Sequence, residues 1–163
     1  MPRTPLTALA KAMNLLAARP LSEMELLAKL RRAGYPDAES DAAIDECRKR
    51  HYLDDEMLTQ DAVGLLRQRN LGDRQIRLRL QRRGLDPEKI DDRLASDPEA
   101  ELQAAIRAAA AKKRLLRNER DPRKKREKLF RFLSGRGFAP GLIFKVLDID
   151  DGEFPDAVTD ECL

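Results

Sequence analysis

Apolar residues recur along the chain at helical spacing, and one short pattern of them occurs three times. In the middle of the chain, Ile76, Leu80 and Gly84 are four residues apart, and Leu85 follows the glycine. Residues four apart share one face of a helix, so the spacing predicts an apolar helix face that ends at the glycine. Glycine adopts the left-handed conformation of a Schellman cap, in which the residue after the glycine packs back on the helix.

Two further copies of this pattern lie 50 residues before and 53 residues after the central copy. The matching positions are Leu26, Leu30, Gly34 and Tyr35 in the first copy, and Leu129, Leu133, Gly137 and Phe138 in the third. Ile143 and Leu147 also match Ile90 and Leu94, whereas the first copy has Ser40 where an isoleucine is expected. A helical pattern repeated at this period predicts a tandem repeat protein.

Residues that start helices accompany each copy. Ser22 and Glu25 have the spacing of a capping box, in which the serine is the N-cap. Aspartate followed by proline, as at Asp86, favours an N-cap and a first helical residue. Such signals predict helices beginning near Thr4 and Pro5, Ser22, Asp37, Asp54, Gly72, Asp86, Asp97, Asp121 and Pro140.

The predicted fold is all-α, with three tandem three-helix repeats that resemble helix-turn-helix units. We place the repeats at residues 1–53, 54–96 and 97–147, followed by an acidic tail at 148–163 that we expect to be loosely held. With 42% hydrophobic residues, 4% aromatic residues and no Trp, an elongated stack with a thin core is favoured over one large core. Four of the five Phe fall in repeat 3, so we expect the best-filled core there.

Residues that could carry catalysis are scarce, and no catalytic, cofactor or metal site is predicted. His51, the only histidine, is a candidate general base, but its place in a helix joint beside Tyr52 favours a packing or surface role. Asp54 and Asp55 could bind a metal, yet helix capping explains both.

The number of cysteines and the length of apolar stretches indicate the cellular compartment in which we expect the protein. Cys47 and Cys162 are too few for a disulfide framework, so the cytoplasm is expected. No run of apolar residues is long enough for a membrane span. Lys11 and Asn14 interrupt the apolar N-terminal stretch where a signal peptide would be continuous.

Local charge is far more uneven than the formal net charge of +3 suggests. From Leu66 to Arg83 there are seven Arg and one acid, and from Glu101 to Lys145 there are fourteen Lys or Arg and four acids. A charge run is often only a solvated helix face, but basic faces at matching places in successive copies favour binding to a polyanion or an acidic protein surface. Nothing in the sequence predicts base-specific reading of DNA.

Three segments resemble the RecX family of bacterial regulators of the RecA recombinase, in order and spacing, over about residues 8–147. They are HYLDD (51–55), DRQIRLRLQRRGLDPEKI (73–90) and REKLFRFLSGRGFAPGLIFKVL (126–147). The resemblance implies a curved, elongated, non-enzymatic protein that binds RecA filaments on single-stranded DNA. It further implies a role in DNA repair, homologous recombination and the SOS response.

By this resemblance the basic faces would contact RecA, DNA phosphate or both. The residues concerned are Arg74, Arg77, Arg82 and Arg83 in repeat 2, and Lys124, Lys125, Arg126 and Arg131 in repeat 3. Ser40 and the acidic tail depart from the family pattern.

Two functions follow from the sequence. The first is a negative modulator of RecA that inhibits filament extension, strand exchange and ATP hydrolysis, and that acts as a monomer without a cofactor. The second is a sequence-independent nucleic-acid-binding repeat protein, for which the basic faces alone are the argument. A hydrolase or transferase has no supporting group of residues.

Overall fold

The computed structural model describes residues 6–151 of the chain, and side chains up to residue 148. Within this range the chain forms nine α-helices and no strand, which confirms the predicted all-α class. The helices are α1 Ala8–Ala18, α2 Glu23–Arg32, α3 Asp37–Lys49, α4 Asp55–Gln68, α5 Asp73–Arg82, α6 Pro87–Ala95, α7 Pro98–Leu115, α8 Pro122–Gly135 and α9 Pro140–Asp151. In the described range, none of them is both long and apolar enough to cross a membrane.

Two predicted helix ends and one predicted cap are wrong, each for a local reason. The first helix begins at Ala8, because the Thr7 hydroxyl accepts a hydrogen bond from Ala10 N at 3.2 Å; Thr4 and Pro5 lie outside the described residues. Asp37 is the first residue of α3 and not its cap, and its carboxylate accepts a hydrogen bond from Arg31 Nε at 2.8 Å.

The third error concerns the last helix. Helix α9 continues to Asp151, four residues past Leu147, where the tail was predicted to begin. The rest of the predicted tail, residues 152–163, lies outside the described part of the chain, and so does Cys162.

Five of the helices in the described part of the chain end in the same Schellman geometry. Gly34, Gly84 and Gly137 have φ of +89°, +76° and +92°, as their repeated spacing predicts. His51 and Asn70 hold the same position with φ of 56°, at the ends of α3 and α4. The following amide donates back into the helix in each case, as Tyr52 N does to Cys47 O at 2.9 Å. His51 is therefore an exposed helix-capping residue.

The chain divides into two compact units. Unit 1 joins the chain up to Leu65 with Arg77–Ser96, and unit 2 joins Leu66–Ile76 with the chain from Asp97 onward. Helix α5 therefore starts in unit 2 and ends in unit 1. The three-repeat boundaries inferred from the sequence stay a prediction.

The core of unit 1 is built from small and medium side chains. Ala12, Leu26, Leu30 and Cys47 are completely buried between α1, α2 and α3. Ser40, the departure from the repeat pattern, is also buried, and its hydroxyl has no hydrogen-bond partner among the described residues.

The core of unit 2 lies between α7, α8 and α9. Helix α7 contributes four buried alanines, at 104, 105, 108 and 109, which let the other two helices approach it closely. Phe138 is completely buried, whereas Phe130 and Phe132 pack at the edge and Phe144 is exposed. Of the four phenylalanine rings, one is completely buried, two are partly buried against the core and one is exposed.

Each unit contains an equivalent joint between the start of one helix and the end of another. The start of α2 meets the end of α5 in unit 1, and the start of α5 meets the end of α8 in unit 2. In unit 1 the Ser22 hydroxyl, at the N-cap of α2, donates to the carbonyl of Arg83. In unit 2 the Gly72 amide, directly before α5, donates to the carbonyl of Arg136 at 2.9 Å. The amide of the next residue also donates to a carboxylate of another element in both units. In unit 1, Glu23 N donates to the Asp55 carboxylate at 3.0 Å.

The equivalent amide in unit 2, Asp73 N, donates to the Glu101 carboxylate, also at 3.0 Å. The glycine caps are part of the same joint. A Cβ added at Gly84 would lie 2.6 Å from Met24 Cβ, and one added at Gly137 would lie 2.5 Å from Gln75 N. The glycines therefore permit both the turn and the close approach of the next helix.

Candidate interaction surface

Helix α5 separates apolar and basic residues onto different faces. Ile76 and Leu80 are completely buried, as the repeat pattern predicts. Arg74, Arg79 and Arg82 are exposed, and none has a carboxylate within 4 Å in the described part of the chain. These three guanidinium groups are available to an external anion.

The other two predicted residues of this region make internal ion pairs. Arg77 Nε lies 2.6 Å from the Asp91 carboxylate of α6. Arg83 donates to the Glu25 carboxylate at 3.0 Å and to the carbonyl of Pro20 at 3.2 Å, and it is only a quarter exposed. Arg83 therefore stabilises the joint between α2 and the end of α5.

The Glu25 carboxylate is the acceptor of this joint. Burial acts to raise its pKa, but hydrogen bonds from Arg83 and from the Ser22 amide, together with the charges of Arg83 and Arg19, outweigh burial and hold the pKa of Glu25 below its ordinary value. The same carboxylate closes the predicted capping box, since Ser22 N donates to it at 3.0 Å. Glu25 is thus ionised at neutral pH and tied to two elements.

In unit 2 the densest positive charge lies at the start of α8. The Asp121 carboxylate caps this helix by accepting hydrogen bonds from Arg123 N at 2.9 Å and Lys124 N at 3.3 Å. The side chains of Arg123 and Lys124 point outward, and no carboxylate among the described residues lies within 4 Å of either. Free amides and the helix dipole add partial positive charge at the same end.

Beside this helix start lies a groove, here called the basic groove, with a volume of about 410 Å³. Its charged lining residues are Lys113, Arg120, Lys125, Arg126 and Glu119. Arg126 pairs with Asp148 at 2.8 Å, and Lys128 pairs with Glu119. Hydrogen bonding to Lys128 is the main cause that lowers the pKa of Glu119, so this acid offsets part of the groove's charge.

Arg131, the last predicted site residue, is exposed one turn further along α8. It pairs with Glu127 at 2.6 Å, an exposed pair at i, i+4 spacing that contributes little to stability. An external anion could therefore replace Glu127 as the partner of Arg131 with little loss of folding free energy.

Some basic residues that shape this surface were not predicted as site residues. Arg120 lies in the basic groove, just before the Asp121 and Pro122 start signal. Arg136 donates to the carbonyl of Arg69 at 2.9 Å, and it lies 5.0 Å from the centre of the Phe132 ring. Arg136 and Arg83 occupy equivalent positions, each directly before a capping glycine. This equivalence could have indicated a role for Arg136 at a helix joint, but the sequence alone does not show that such a joint exists.

The acidic pair at the start of α4 acts as caps. Asp54 accepts hydrogen bonds from Glu56 N and Met57 N at 3.0 and 2.9 Å, which confirms its predicted capping role. Asp55 accepts from Glu23 N, and burial raises the pKa of Asp55 above its ordinary value. Among the described residues, no three His, Cys, Asp or Glu side chains are placed to hold a metal ion.

Cys47 has the environment of a core residue. It is completely buried, and burial is the main cause that raises the pKa of its thiol, which disfavours the reactive thiolate.

Small three-helix modules, with exposed cations that have no carboxylate partner in the described residues, define an all-α helical repeat protein with basic helix faces. Two family models match the chain: RecX, first three-helix domain, at residues 8–47, and RecX, third three-helix domain, at residues 99–147. The chain belongs to the RecX family.

Relatives and solved structures agree with this assignment. The chain is similar to the regulatory protein RecX of Vibrio campbellii, with 32% identity over 86% of this chain and 89% of that protein. It is similar to the one of Chlorobium limicola, with 35% identity over 80% of this chain and 81% of that protein. The fold resembles the crystal structure of RecX from Lactobacillus salivarius, with a TM-score of 0.80, 18% identity, and coverage of 88% of this chain and 94% of that chain.

Proposed function

We propose that this protein is a negative modulator of the RecA recombinase. It binds RecA filaments on single-stranded DNA and inhibits filament extension, strand exchange and ATP hydrolysis. The observation that supports this most is membership of a family whose members are named regulatory protein RecX. Exposed cations that pair with no acid among the described residues support it further. It acts in the bacterial cytoplasm during DNA repair, homologous recombination and the SOS response, as a monomer and without catalysis of its own.

The eight proposed binding residues have unequal roles. Arg74, Arg82, Lys124 and Lys125 are the primary contacts, because no carboxylate in the described chain lies within 4 Å of them. Three further residues bind after they give up the internal carboxylate with which they pair and take an acidic group of the filament instead. They are Arg77, Arg126 and Arg131. Arg83 supports the surface through its ion pair with Glu25.

The proposal is tested by titrating the protein into RecA assembled on circular single-stranded DNA while ATP hydrolysis is measured. Inhibition at substoichiometric amounts is expected, because blocking growth at one filament end affects many RecA subunits. Unchanged hydrolysis at a stoichiometric excess would contradict the proposal.

Sequence-independent binding to nucleic acid is the second candidate, and the free cations on α5 and α8 favour it too. It predicts tight binding to bare DNA that weakens steeply with salt, since each phosphate contact releases a counterion. Fluorescence anisotropy with a labelled oligonucleotide at 50 and 200 mM NaCl measures this. Strong DNA binding without RecA inhibition would favour this second function.

A further inference from the structure

Unit 2 carries an open groove between α8 and α9, here called the aromatic groove, that contains two phenylalanine rings. Its lining residues are Arg123, Arg126, Glu127, Phe130, Phe144 and Leu147, and its volume is about 380 Å³. The ring centres of Phe130 and Phe144 lie 5.3 Å apart, and the ring planes are tilted by 39°. The two helices thus contribute one aromatic ring each to a shared apolar surface.

The exposure of Phe144 is not explained by the packing of α9. Ile143 and Val146 of the same helix are at most 1% exposed, so the core-facing side of α9 is formed by other residues. Phe144 is 49% exposed, and an apolar ring that stays in contact with water loses the free energy of burial. Phe132 differs, since the guanidinium of Arg136 lies over its ring at 5.0 Å from the centre. The exposed part of the Phe144 ring suits an external flat, apolar group.

Positive charge borders both helices of this groove. Residues 123, 126, 127 and 130 share one side of α8 by their spacing, so cations from the helix start lead along the groove to the ring of Phe130. Arg123 is exposed, and no carboxylate in the described range lies within 4 Å of it. Lys145, which follows Phe144 on α9, is exposed and likewise has no such carboxylate.

The two acids at the edge of the groove are already paired with arginines. Glu127 lies 2.6 Å from the guanidinium of Arg131, and Asp148 lies 2.8 Å from that of Arg126. The remaining cations therefore leave the edge of the groove positive, and an occupant should carry negative charge beside its flat, apolar group.

A nucleotide of a single strand carries both of these groups. Its base stacks on an aromatic side chain, and its phosphate binds a cation. A peptide would need two different residues to supply an aromatic ring and a carboxylate, whereas every nucleotide has a base and a phosphate. In a duplex the faces of the bases are covered by neighbouring base pairs, so they cannot stack on a protein ring.

We propose that the aromatic groove binds one nucleotide of a single strand, with the base stacked on Phe144 beside Phe130. The adjoining phosphate contacts Arg123, and Lys145 adds positive charge from α9. This inference rests on the proposed function for its partner, the single-stranded DNA of the filament, and it adds a contact to the bases themselves. Because every base has a face that can stack, the site selects single strands over duplex without reading sequence.

The stacking contact is tested by fluorescence anisotropy of the full chain with a labelled dT oligonucleotide and with an abasic strand of equal length. We expect Phe144→Ala to weaken binding of the dT strand roughly tenfold and Phe144→Tyr to bind it like the wild type. The abasic strand should bind the wild type and Phe144→Ala equally, because it has phosphates but no bases. Tyr52→Ala is the matched control, since it removes a ring that is also half exposed, in unit 1, and it should leave both affinities unchanged.

Two results of this comparison would overturn the proposal. The first is an unchanged affinity of Phe144→Ala for the dT strand. The second is equal weakening for the dT strand and the abasic strand, since a loss that does not depend on the base reports a change in fold or in charge.

A tryptophan in the groove reports the stacking directly. The chain has no Trp, so Phe144→Trp introduces a single one, whose fluorescence is quenched when a base stacks on it. We expect the dT strand to quench this emission and a duplex of the same length to leave it unchanged. Equal quenching by the duplex would overturn the proposal. Emission that changes with protein concentration before DNA is added would overturn it too, because it would assign the groove to a second copy.

Assays with RecA separate this inference from the proposed function. If Phe144→Ala loses inhibition of RecA while it keeps its affinity for the dT strand, the groove binds a protein surface and the inference is wrong. If the wild type fails to inhibit RecA while the dT strand still quenches Phe144→Trp, the proposed function is rejected and the nucleotide site is supported.

Discussion

At the scale of single residues, the glycine caps have two roles that the structure separates. Gly34 and Gly84 have the same left-handed backbone, but a Cβ at Gly34 would meet no atom within 4 Å, whereas one at Gly84 would lie 2.6 Å from Met24 Cβ. The repeat pattern predicted both turns. It could not distinguish a cap that faces solvent from one that another helix covers, because that depends on contacts 60 residues apart.

Alanine substitutions at these two glycines should therefore differ in cost. Gly34→Ala should lower the free energy of unfolding by about 1 kcal/mol, the cost of a left-handed non-glycine residue. Gly84→Ala should cost a further 1–3 kcal/mol or so, because Met24 must also move. Urea unfolding followed by circular dichroism measures both. Equal losses would contradict the close joint between Gly84 and Met24.

A single carboxylate should also make the stability of unit 1 depend on pH. The pKa of Glu25 is held below its ordinary value of 4.5, mainly against burial, by Arg83 and Ser22 N. Its contribution is therefore complete above pH 4.5 and is lost as the pH falls through the lower pKa of the folded state.

Glu25→Gln should remove this part of the acid destabilisation and lower stability at pH 7 by about 1 kcal/mol. Thermal unfolding between pH 3 and pH 7 tests it, with the exposed Glu39→Gln as the matched control. A Glu25→Gln variant whose stability falls as steeply below pH 4.5 as that of the wild type would show that the ion pair with Arg83 does not persist in solution.

At the scale of elements, most helices were predictable because their caps are local. The helices from Asp37 to Lys49 and from Pro87 to Ala95 begin and end as predicted. The left-handed backbone conformation of His51 and Asn70 at two helix ends was not predicted, because these residue types indicate that conformation less clearly than glycine does. The errors at Thr7 and Asp37 arise because two neighbouring residues can each supply a cap, and only packing selects between them.

Two glycines, one inside α4 and one directly before α5, test the joint of unit 2. A Cβ at Gly72 would lie 2.5 Å from the carbonyl carbon of Gly137, whereas one at Gly64, inside α4, would meet nothing within 4 Å. Gly64→Ala should raise stability by up to about 1 kcal/mol through helix propensity. Gly72→Ala should lower it by roughly 3 kcal/mol, because the backbone of Gly137 cannot move aside.

Thermal melting of both variants is the measurement. Both substitutions replace a hydrogen with one methyl group, yet we expect Gly64→Ala to raise the melting temperature and Gly72→Ala to lower it. A stabilised Gly72→Ala variant would show that the end of α8 does not approach this close to Gly72.

At the scale of the whole molecule, sequence alone identified the family and the repeated basic faces. It could not show which cations are neutralised, because the partners are distant in sequence: Arg83 pairs with Glu25, and Arg126 pairs with Asp148. It also could not place Phe144 at the surface, since helical spacing alone puts that residue near the core stripe of α9. The eight predicted residues are thus a mixture of available and internally paired cations.

The central claim is that the unpaired cations of α5 and α8 hold this protein on the RecA filament. The test uses a variant that combines Arg74→Glu, Arg82→Glu, Lys124→Glu and Lys125→Glu. Its control reverses four cations near the N-terminus, of which one is partly buried and three are exposed: Lys11, and then Lys29, Arg32 and Lys49. Both variants change the net charge equally, and Arg83 is spared because its reversal would disrupt the joint with Glu25.

The decisive measurement is RecA ATP hydrolysis on single-stranded DNA with each variant, after circular dichroism has shown that both keep wild-type helical content. We expect the control to inhibit hydrolysis like the wild type and the variant of α5 and α8 to lose inhibition. Full inhibition by the variant of α5 and α8, or equal loss in both, would contradict the account.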